Sequence, residues 1–314
     1  MAWEPSAADG LPSRVRIREV GPRDGFQNEA EVIATADKVR LIELLARSGL
    51  KRMEVTSFVR PDVIPQLADA EPVLDAISRP AGVAISVLIP NERGLERALA
   101  HCGRFQQING FLSASDSHNH KNVGRSVEES LTGLKSTFAR AQSEGLRCQA
   151  VISVSFGCPY EGHVPPERVL QIARRLIEAG AAEVGFGDTT GMANPLQVRR
   201  FFSAARAALG PDVELTAHFH NTRGQGLANV LAALQTGIDS FESSFGELGG
   251  CPVPAGATGN IATEDLVSML HEMGIETGID LSALLDASRA VQEGLDRPLG
   301  SHTLIAGPVR WDRG

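Results

Sequence analysis

Three features that are scarce or missing in this 314-residue sequence narrow its function. No apolar run is longer than a strand, which argues against a transmembrane segment and a membrane partner. The first fourteen residues hold two acidic groups and no hydrophobic stretch, so we expect no secretory signal. Basic residues are outnumbered, 30 to 38, and the net charge of −8 argues against a nucleic-acid-binding protein. It does not argue against an anionic substrate, because local basic groups can override the average.

Cysteine is also scarce, with four residues whose spacing fits neither a zinc site nor a redox pair. We expect Cys102, Cys148 and Cys158, in or beside predicted elements, to be small buried residues. Cys251 lies instead among glycines and prolines, where an accessible thiol is a fair proton donor or nucleophile. Unpaired cysteines fit a reducing compartment, so the sequence predicts a cytoplasmic protein.

Eight strand-like segments alternate with helical ones along the first 246 residues. This alternation predicts parallel strands with helical crossovers, and eight units in about 250 residues is the size of a (β/α)8 TIM barrel. The alternative, an open doubly wound sheet, needs a phosphate-binding fingerprint after the first strand, and Gly21–Gly25 lacks it. The predicted strands are 15–20, 52–58, 83–89, 106–113, 147–155, 182–188, 213–220 and 239–245. The predicted helices are 35–48, 63–78, 92–101, 127–144, 166–179, 196–209 and 224–236.

The organisation we expect is one domain from residue 14 to 314, preceded by an extension over 1–13. A loop rich in Gly and Pro, at 246–262, follows the eighth strand, and its composition suits a backbone that comes close to a ligand. A C-terminal helical appendage follows, with helices predicted at 264–273, capped by Thr263, and at 281–295. The tail from 297 onward shows little periodicity.

Two polar motifs at predicted strand ends carry the chemistry. Arg23 and Asp24 follow the first strand, and His218 and His220 stand two apart on the seventh, so both imidazoles face the same side. Loops after the strands form the ligand-binding face of such barrels. Taken singly, Arg23-Asp24 is typical of an exposed ion pair, and a His-x-His pair is as often part of a core as of a site. Together the motifs indicate a site for a divalent metal.

Asn260, at the end of the Gly-rich loop, offers a fourth metal ligand. Two imidazoles with the Asp24 carboxylate and an amide oxygen, and no thiolate, suit Mg²⁺ or Mn²⁺ better than structural Zn²⁺. A ferrous site with two histidines and one carboxylate has the same ligand types and remains an alternative.

Five motifs in combination resemble the 3-hydroxy-3-methylglutaryl-CoA (HMG-CoA) lyase family of the DRE-TIM metallolyase superfamily. The resemblance runs from about residue 14 to about residue 296 and implies a (β/α)8 barrel. It implies a divalent metal held by Asp24, His218, His220 and Asn260, and cleavage of a 3-hydroxyacyl-CoA to acetyl-CoA and a ketoacid. The motifs are GPRDGFQNE at 21–29, GCPYEG at 157–162, GDT at 187–189, HFH at 218–220, and GGCP at 249–252 with GNIATEDL at 259–266.

The resemblance also implies catalytic roles. Arg23 would bind the substrate together with Gln27, and its fixed charge would face the developing enolate oxygen. Cys251 would return a proton to the acetyl-CoA carbanion.

The general base stays open at this stage. His218 is one candidate, although a metal-bound imidazole is a weak base. Glu54, expected at the mouth end of the second strand, and Asp188, after the sixth, are others. Either carboxylate could instead orient Arg23 or a metal ligand.

Some residues depart from the lyase pattern. Asn221 and Arg223 stand where the familiar lyase has aspartate and tyrosine, and His-x-His-Asn resembles the related isopropylmalate synthases. The segment 113–122 adds His118 and His120, which we expect to be solvated loop residues, with substrate contact as the alternative. Asp-Arg-Pro at 296–298 replaces a more basic pattern and puts a CoA contact there in doubt.

Three functions therefore remain in view. The first is a lyase for HMG-CoA or a related branched 3-hydroxyacyl-CoA, the second is a Claisen-type synthase, and the third is a barrel that binds without turnover. The thiol of Cys251 and the short C-terminus favour the first. We further expect an acyl-CoA substrate and a homo-oligomer, either a dimer or a tetramer.

Overall fold

The computed structural model describes residues 10–78, 81–250 and 258–311. Eight parallel strands follow one another in sequence order, and pairing of the first with the last closes the barrel. The predicted (β/α)8 fold is thereby confirmed, and every strand lies within its predicted segment. The strands are β1 (Arg16–Glu19), β2 (Arg52–Ser57), β3 (Ala84–Leu88), β4 (Gln107–Ser113), β5 (Arg147–Ser153), β6 (Glu183–Asp188), β7 (Glu214–Phe219) and β8 (Ser240–Ser243).

Helices form the outer layer, and glycines end several of them. Gly49, Gly145, Gly180 and Gly237 have φ angles of 96°, 77°, 105° and 80°, which residues with a Cβ rarely adopt. The helices in the described ranges are α1 (Thr35–Arg47), α2 (Ala70–Ala76), α3 (Glu92–Leu99), α4 (Asp116–Val123), α5 (Val127–Ser143), α6 (Pro166–Glu178), α7 (Pro195–Leu209), α8 (Gly226–Leu234), α9 (Thr263–Glu272), α10 (Leu281–Leu295) and α11 (His302–Ala306). None of them combines the length and apolarity needed to span a membrane.

Helix α4 corrects the expectation of a loop at 113–122. Ser115 caps it by accepting the amide of His118 at 3.2 Å, and Gly124, with φ at 70°, ends it. The helix is short and polar, so it has no apolar periodicity to reveal it. It buries His118, whose Nδ1 lies 2.7 Å from Ser113 Oγ, so the expectation of a solvated His118 is wrong. His120 is exposed, as expected.

Three smaller expectations also fail. The predicted helix at 63–78 is a 3-10 turn, Pro65–Leu67, followed by the shorter α2. Thr263 is the first residue of α9 and not its cap, because its hydroxyl donates to the Glu19 carboxylate at 2.7 Å. Cys102 is exposed in the turn after α3, whereas Cys148 and Cys158 are buried as expected.

Charged side chains fill part of the barrel interior. Arg18, only 1% exposed, donates hydrogen bonds of 2.8 Å to both Glu183 and Glu242. Gln149 donates to the same Glu242 at 2.8 Å. Buried charges are tolerated when opposite charges and hydrogen bonds are matched in this way. The network joins β1, β5, β6 and β8 below the carboxyl ends of the strands.

The C-terminal helices close one side of the barrel. Helix α10 packs against α1 and α9, and α11 packs against α9. Near the start of the described chain, Val15 N donates to Glu276 O at 2.9 Å, which ties β1 to the segment after α9. The appendage therefore lies beside β1 and β8, the two strands that close the barrel.

Candidate active site

A buried carboxylate fixes the turn that carries Arg23 and Asp24. Beyond β1 the chain forms a single π-helical turn, Gly21–Gly25. Glu19 accepts the amide of Gly21 at 2.7 Å and the amide of Phe245 at 3.1 Å, so it joins this turn to the end of β8. Burial raises the pKa of Glu19 to about 8 despite these donors.

Arg23 is held by two carboxylates. Its Nη1 lies 2.6 Å from Asp24 Oδ1, and its Nε contacts Glu54. Gln27 donates to the same Asp24 oxygen at 3.1 Å. Burial alone would raise the pKa of Asp24, but the Arg23 charge, followed by the nearby imidazoles, holds it below its usual range. The carboxylate is therefore ionised and the guanidinium is fixed in direction.

Glu54 reaches Arg23 from inside the barrel. It is the third of six residues in β2, so the expectation that it lies at the mouth end is wrong. Its second oxygen contacts the Asn109 side chain on β4. With both oxygens engaged, Glu54 is placed to orient Arg23.

The two imidazoles lie side by side at the carboxyl end of β7. His218 lies near the end of β7, His220 follows the strand, and their Nε2 atoms are 3.1 Å apart. His218 Nδ1 is 3.0 Å from Glu242 Oε2. Burial works against a charged His218, but the hydrogen bond and charge of Glu242 raise its pKa on balance. When Nδ1–H of His218 donates to Glu242, its Nε2 presents a lone pair toward His220.

Asn260 completes the group from the end of the Gly-rich loop. It forms an isolated bridge with His220, and its Nδ2 donates to Asp24 Oδ2 at 2.7 Å and to Leu248 O at 3.0 Å. A Cβ on Gly249 would stand 2.7 Å from that Nδ2, so only glycine allows this approach. The Oδ1 atom of Asn260 is buried without a partner.

These side chains fit a divalent metal. Ligand atoms of Asp24, His218 and His220 all lie within 4.8 Å of one another. Two imidazole nitrogens at 3.1 Å, and an amide oxygen without a donor, are arrangements that a shared cation stabilises. A set of nitrogen and oxygen ligands without thiolate suits Mg²⁺ or Mn²⁺. The structure thus contains a candidate metal site at the expected position.

The two remaining predicted site residues are Asp188 and Cys251. Asp188 ends β6, where its Oδ1 accepts the amides of Met192 at 2.7 Å and Ala193 at 3.0 Å. Its Oδ2 is buried without a partner, and burial raises its pKa to about 7. Cys251 lies outside the described residues.

Sequence reasoning missed Glu242 and Asn109, which hold His218 and Glu54 in place. Glu242 pairs in register with Arg18 on β1 and with His218 on β7, and this pairing becomes visible only in the folded barrel. No sequence signal indicated the role of Asn109, because a single asparagine in a predicted strand does not reveal which side chain it contacts.

Comparisons with known proteins identify the family. Residues 14–291 match the HMGL-like family model. The hydroxymethylglutaryl-CoA lyase of Bacillus subtilis is 47% identical over 293 residues, which cover 93% of this chain and 97% of that protein. The mitochondrial hydroxymethylglutaryl-CoA lyase of Macaca fascicularis is 41% identical over 94% of this chain and 90% of its own.

A solved structure is similar along nearly its whole length. An HMG-CoA lyase of Acinetobacter baumannii, in complex with coenzyme A and 3-methylmalate, is 39% identical with a TM-score of 0.91. The match covers 96% of this chain and 98% of that one. Fold and sequence therefore agree, and the chain belongs to the HMGL-like family of HMG-CoA lyases.

Proposed function

We propose that the protein is a divalent-metal-dependent lyase that cleaves HMG-CoA, or a closely related 3-hydroxyacyl-CoA, to acetyl-CoA and a ketoacid such as acetoacetate. The observation that carries the proposal is the convergence of Arg23 with Asp24, His218, His220 and Asn260 at one end of the barrel. The coenzyme A and branched acid named for the Acinetobacter baumannii structure support an acyl-CoA substrate.

The reaction breaks the bond between C2 and C3 of the acyl group. The 3-hydroxyl gives up its proton, C3 becomes the ketone of acetoacetate, and the electron pair of the broken bond moves into the thioester as an enolate. Protonation at C2 then gives acetyl-CoA. Asp24, His218, His220 and Asn260 would hold Mg²⁺ or Mn²⁺, which would supply Lewis acidity for the loss of the hydroxyl proton.

Arg23 provides the fixed positive charge for the enolate oxygen. Because Glu54 and Asp24 hold the guanidinium in place, little reorganisation is needed as negative charge develops. Gln27, which donates to Asp24, is proposed to contact the substrate beside Arg23.

Asp188 is proposed as the residue that accepts the hydroxyl proton. His218 is less suited, because Glu242 engages Nδ1 and Nε2 faces the metal ligands. Glu54 is engaged by Arg23 and Asn109. Asp188 Oδ2 is unengaged, and a pKa near 7 suits proton exchange at neutral pH.

Asp188→Asn is expected to lower kcat by about 100-fold or more, because general acid-base groups contribute at least that much. The asparagine Oδ1 can still accept the amides of Met192 and Ala193, so the melting temperature should change little. Steady-state kinetics with HMG-CoA and a thermal melt measure both. A kcat equal to that of the parent would show that Asp188 serves only to hold the turn between β6 and α7.

Cys251→Ala is expected to lower kcat by about 100-fold, because Cys251 is proposed to donate the proton at C2. Cys102→Ala is the matched control: Cys102 is exposed, so neither activity nor melting temperature should change. Full turnover by Cys251→Ala would remove the proposed acid and favour the synthase alternative, which does not need this thiol.

One assay separates the lyase from the synthase that Asn221 suggests. With HMG-CoA and Mn²⁺, a lyase forms acetyl-CoA and acetoacetate and releases no free thiol. With acetyl-CoA and 2-oxoacids, a synthase releases the free thiol of coenzyme A. We expect only the first reaction, and thiol release in the second would contradict the proposal.

Two further expectations belong to this proposal. Cytoplasmic placement is supported by Cys102, Cys148 and Cys158, which are free thiols. A homo-oligomer, either a dimer or a tetramer, stays a prediction that light scattering in solution can check.

A further inference from the structure

Glu247 has a backbone conformation that glutamate rarely adopts. It follows β8 in the 3-10 turn Phe245–Glu247, and both it and Gly246 have φ at 62°. A glycine takes this conformation freely, but a residue with a Cβ is strained in it. Such strain persists only where the surroundings impose it, and it is concentrated at functional sites.

The strained turn sets the backbone that holds Asn260. Just after Glu247, the carbonyl of Leu248 accepts both the backbone amide of Asn260, at 3.3 Å, and its side-chain Nδ2, at 3.0 Å. A Cβ on Gly259 would stand 1.9 Å from the carbonyl oxygen of Glu247, so the two segments are in direct backbone contact. The direction of the chain at Glu247 therefore determines where Asn260 lies.

The carboxylate of Glu247 makes a second connection. It faces the side chains of Asn221 and Thr258, which lower its pKa, although burial raises that pKa on balance. Asn221 follows His220 directly and donates its amide to Gly259 O at 3.1 Å. The carboxylate thus lies where the segment after β7 meets the segment that leads into Asn260.

Leu299 and Gly300, in the C-terminal segment, pack against the turn that contains Gly246 and Glu247. Leu299 covers Gly246, where a Cβ would come within 2.5 Å of the leucine side chain. Gly300 donates its amide to Gly246 O at 2.9 Å, and a Cβ on Gly300 would meet the Glu247 carboxylate at 2.5 Å. The C-terminal segment therefore supports the conformation from the opposite side.

We propose that Glu247 is a positioning residue for the metal site: its backbone directs Leu248 O and contacts Gly259, and its carboxylate interacts with Asn221 and Thr258, so that Asn260 is held against Asp24 and His220. The proposal rests on the metal dependence of the proposed function. Glu247 itself touches neither metal nor substrate in this role. It acts through Asn260, whose Oδ1 it keeps directed at the site.

The test compares Mn²⁺ affinity and stability in three variants of the full-length protein. Glu247→Gly permits the backbone conformation but removes the carboxylate, and it should weaken Mn²⁺ binding about 10- to 100-fold, as loss of supporting groups around metal ligands does. Its melting temperature should not fall, because strain is relieved. Glu247→Gln keeps the hydrogen-bonding shape and should retain an affinity within a few-fold of the parent. Asp296→Gly is the matched control, since it relieves positive φ at another residue and should leave Mn²⁺ affinity unchanged.

The outcomes separate this proposal from the proposed function. Parental Mn²⁺ affinity in Glu247→Gly would overturn the positioning role while leaving the lyase activity of the parent untouched. If Glu247→Gly and Glu247→Gln lost Mn²⁺ affinity equally and their melting temperatures also fell, Glu247 would have a structural role only. That result would also overturn the positioning role. If the parent binds Mn²⁺ but does not cleave HMG-CoA, the proposed lyase function is wrong. The positioning role of Glu247 is then still tested by the Mn²⁺ affinity of its variants. If the parent binds no Mn²⁺, both the proposed metal-dependent function and the positioning role of Glu247 are wrong.

Discussion

Arg23→Met is expected to lower kcat for HMG-CoA cleavage by about 100- to 1000-fold with a much smaller change in KM. In the proposed mechanism the guanidinium meets a charge that exists only as the enolate forms, and an interaction confined to the transition state appears in kcat. Removing one such donor costs about 3–4 kcal/mol. Steady-state kinetics at saturating Mn²⁺, with the dissociation constant for Mn²⁺ measured alongside, separate this role from damage to the neighbouring proposed ligand Asp24.

The control for this variant is Arg60→Met. Arg60 also pairs with a carboxylate, Asp62, but both side chains are more than 60% exposed. An exposed ion pair contributes little, so kinetics and stability should match the parent. If Arg23→Met raised KM and left kcat unchanged, Arg23 would be a substrate-binding residue without a role in the chemical step.

Removal of divalent metal is expected to abolish turnover and to leave the barrel folded. The proposed ligands Asp24, His218, His220 and Asn260 lie near or beyond the strand ends, whereas the strands are held by their own ladder and by an apolar layer against the helices. The far-ultraviolet circular dichroism should not change at 25 °C. The melting temperature should fall by a few degrees, since a ligand that binds only the native state adds about 2.7 kcal/mol at a concentration 100 times its dissociation constant.

Elemental analysis must show that the protein assayed after metal removal holds no divalent metal. Turnover by protein free of divalent metal would show that the four side chains serve another purpose. His220→Ala is the complementary variant, which should show the same loss of activity at Mn²⁺ concentrations that saturate the parent. Restoration of activity by high Mn²⁺ would locate the defect in affinity and not in the chemical step.

The sequence was informative wherever a local signal existed. Alternating apolar residues and terminal glycines located all eight strands, because each strand is buried on its outer face and each crossover must end sharply. Motifs at strand ends brought Arg23, Asp24, His218 and His220 together correctly, since every strand of a parallel barrel delivers its carboxyl end to one face.

The remainder depended on contacts between distant parts of the chain. Thr263 has the residue type of a cap, but the Glu19 carboxylate, 244 positions away, takes its hydroxyl. Glu54 appeared to lie at the mouth, and only the length of its side chain and the position of Arg23 bring it to the site. The support of His218 by Glu242 depends on strand register, which local patterns do not specify.

The charged network inside the barrel has a consequence for how the protein responds to heat. The cost of dehydrating ions falls as temperature rises, whereas the stabilisation from each unit of buried apolar area levels off. The contacts among Arg18, Glu183 and Glu242 should therefore hold the inner strands together relatively better when warm than when cold. On heating, we expect the outer helices to loosen before the ring of strands opens, and hydrogen exchange followed across a temperature series would show that order.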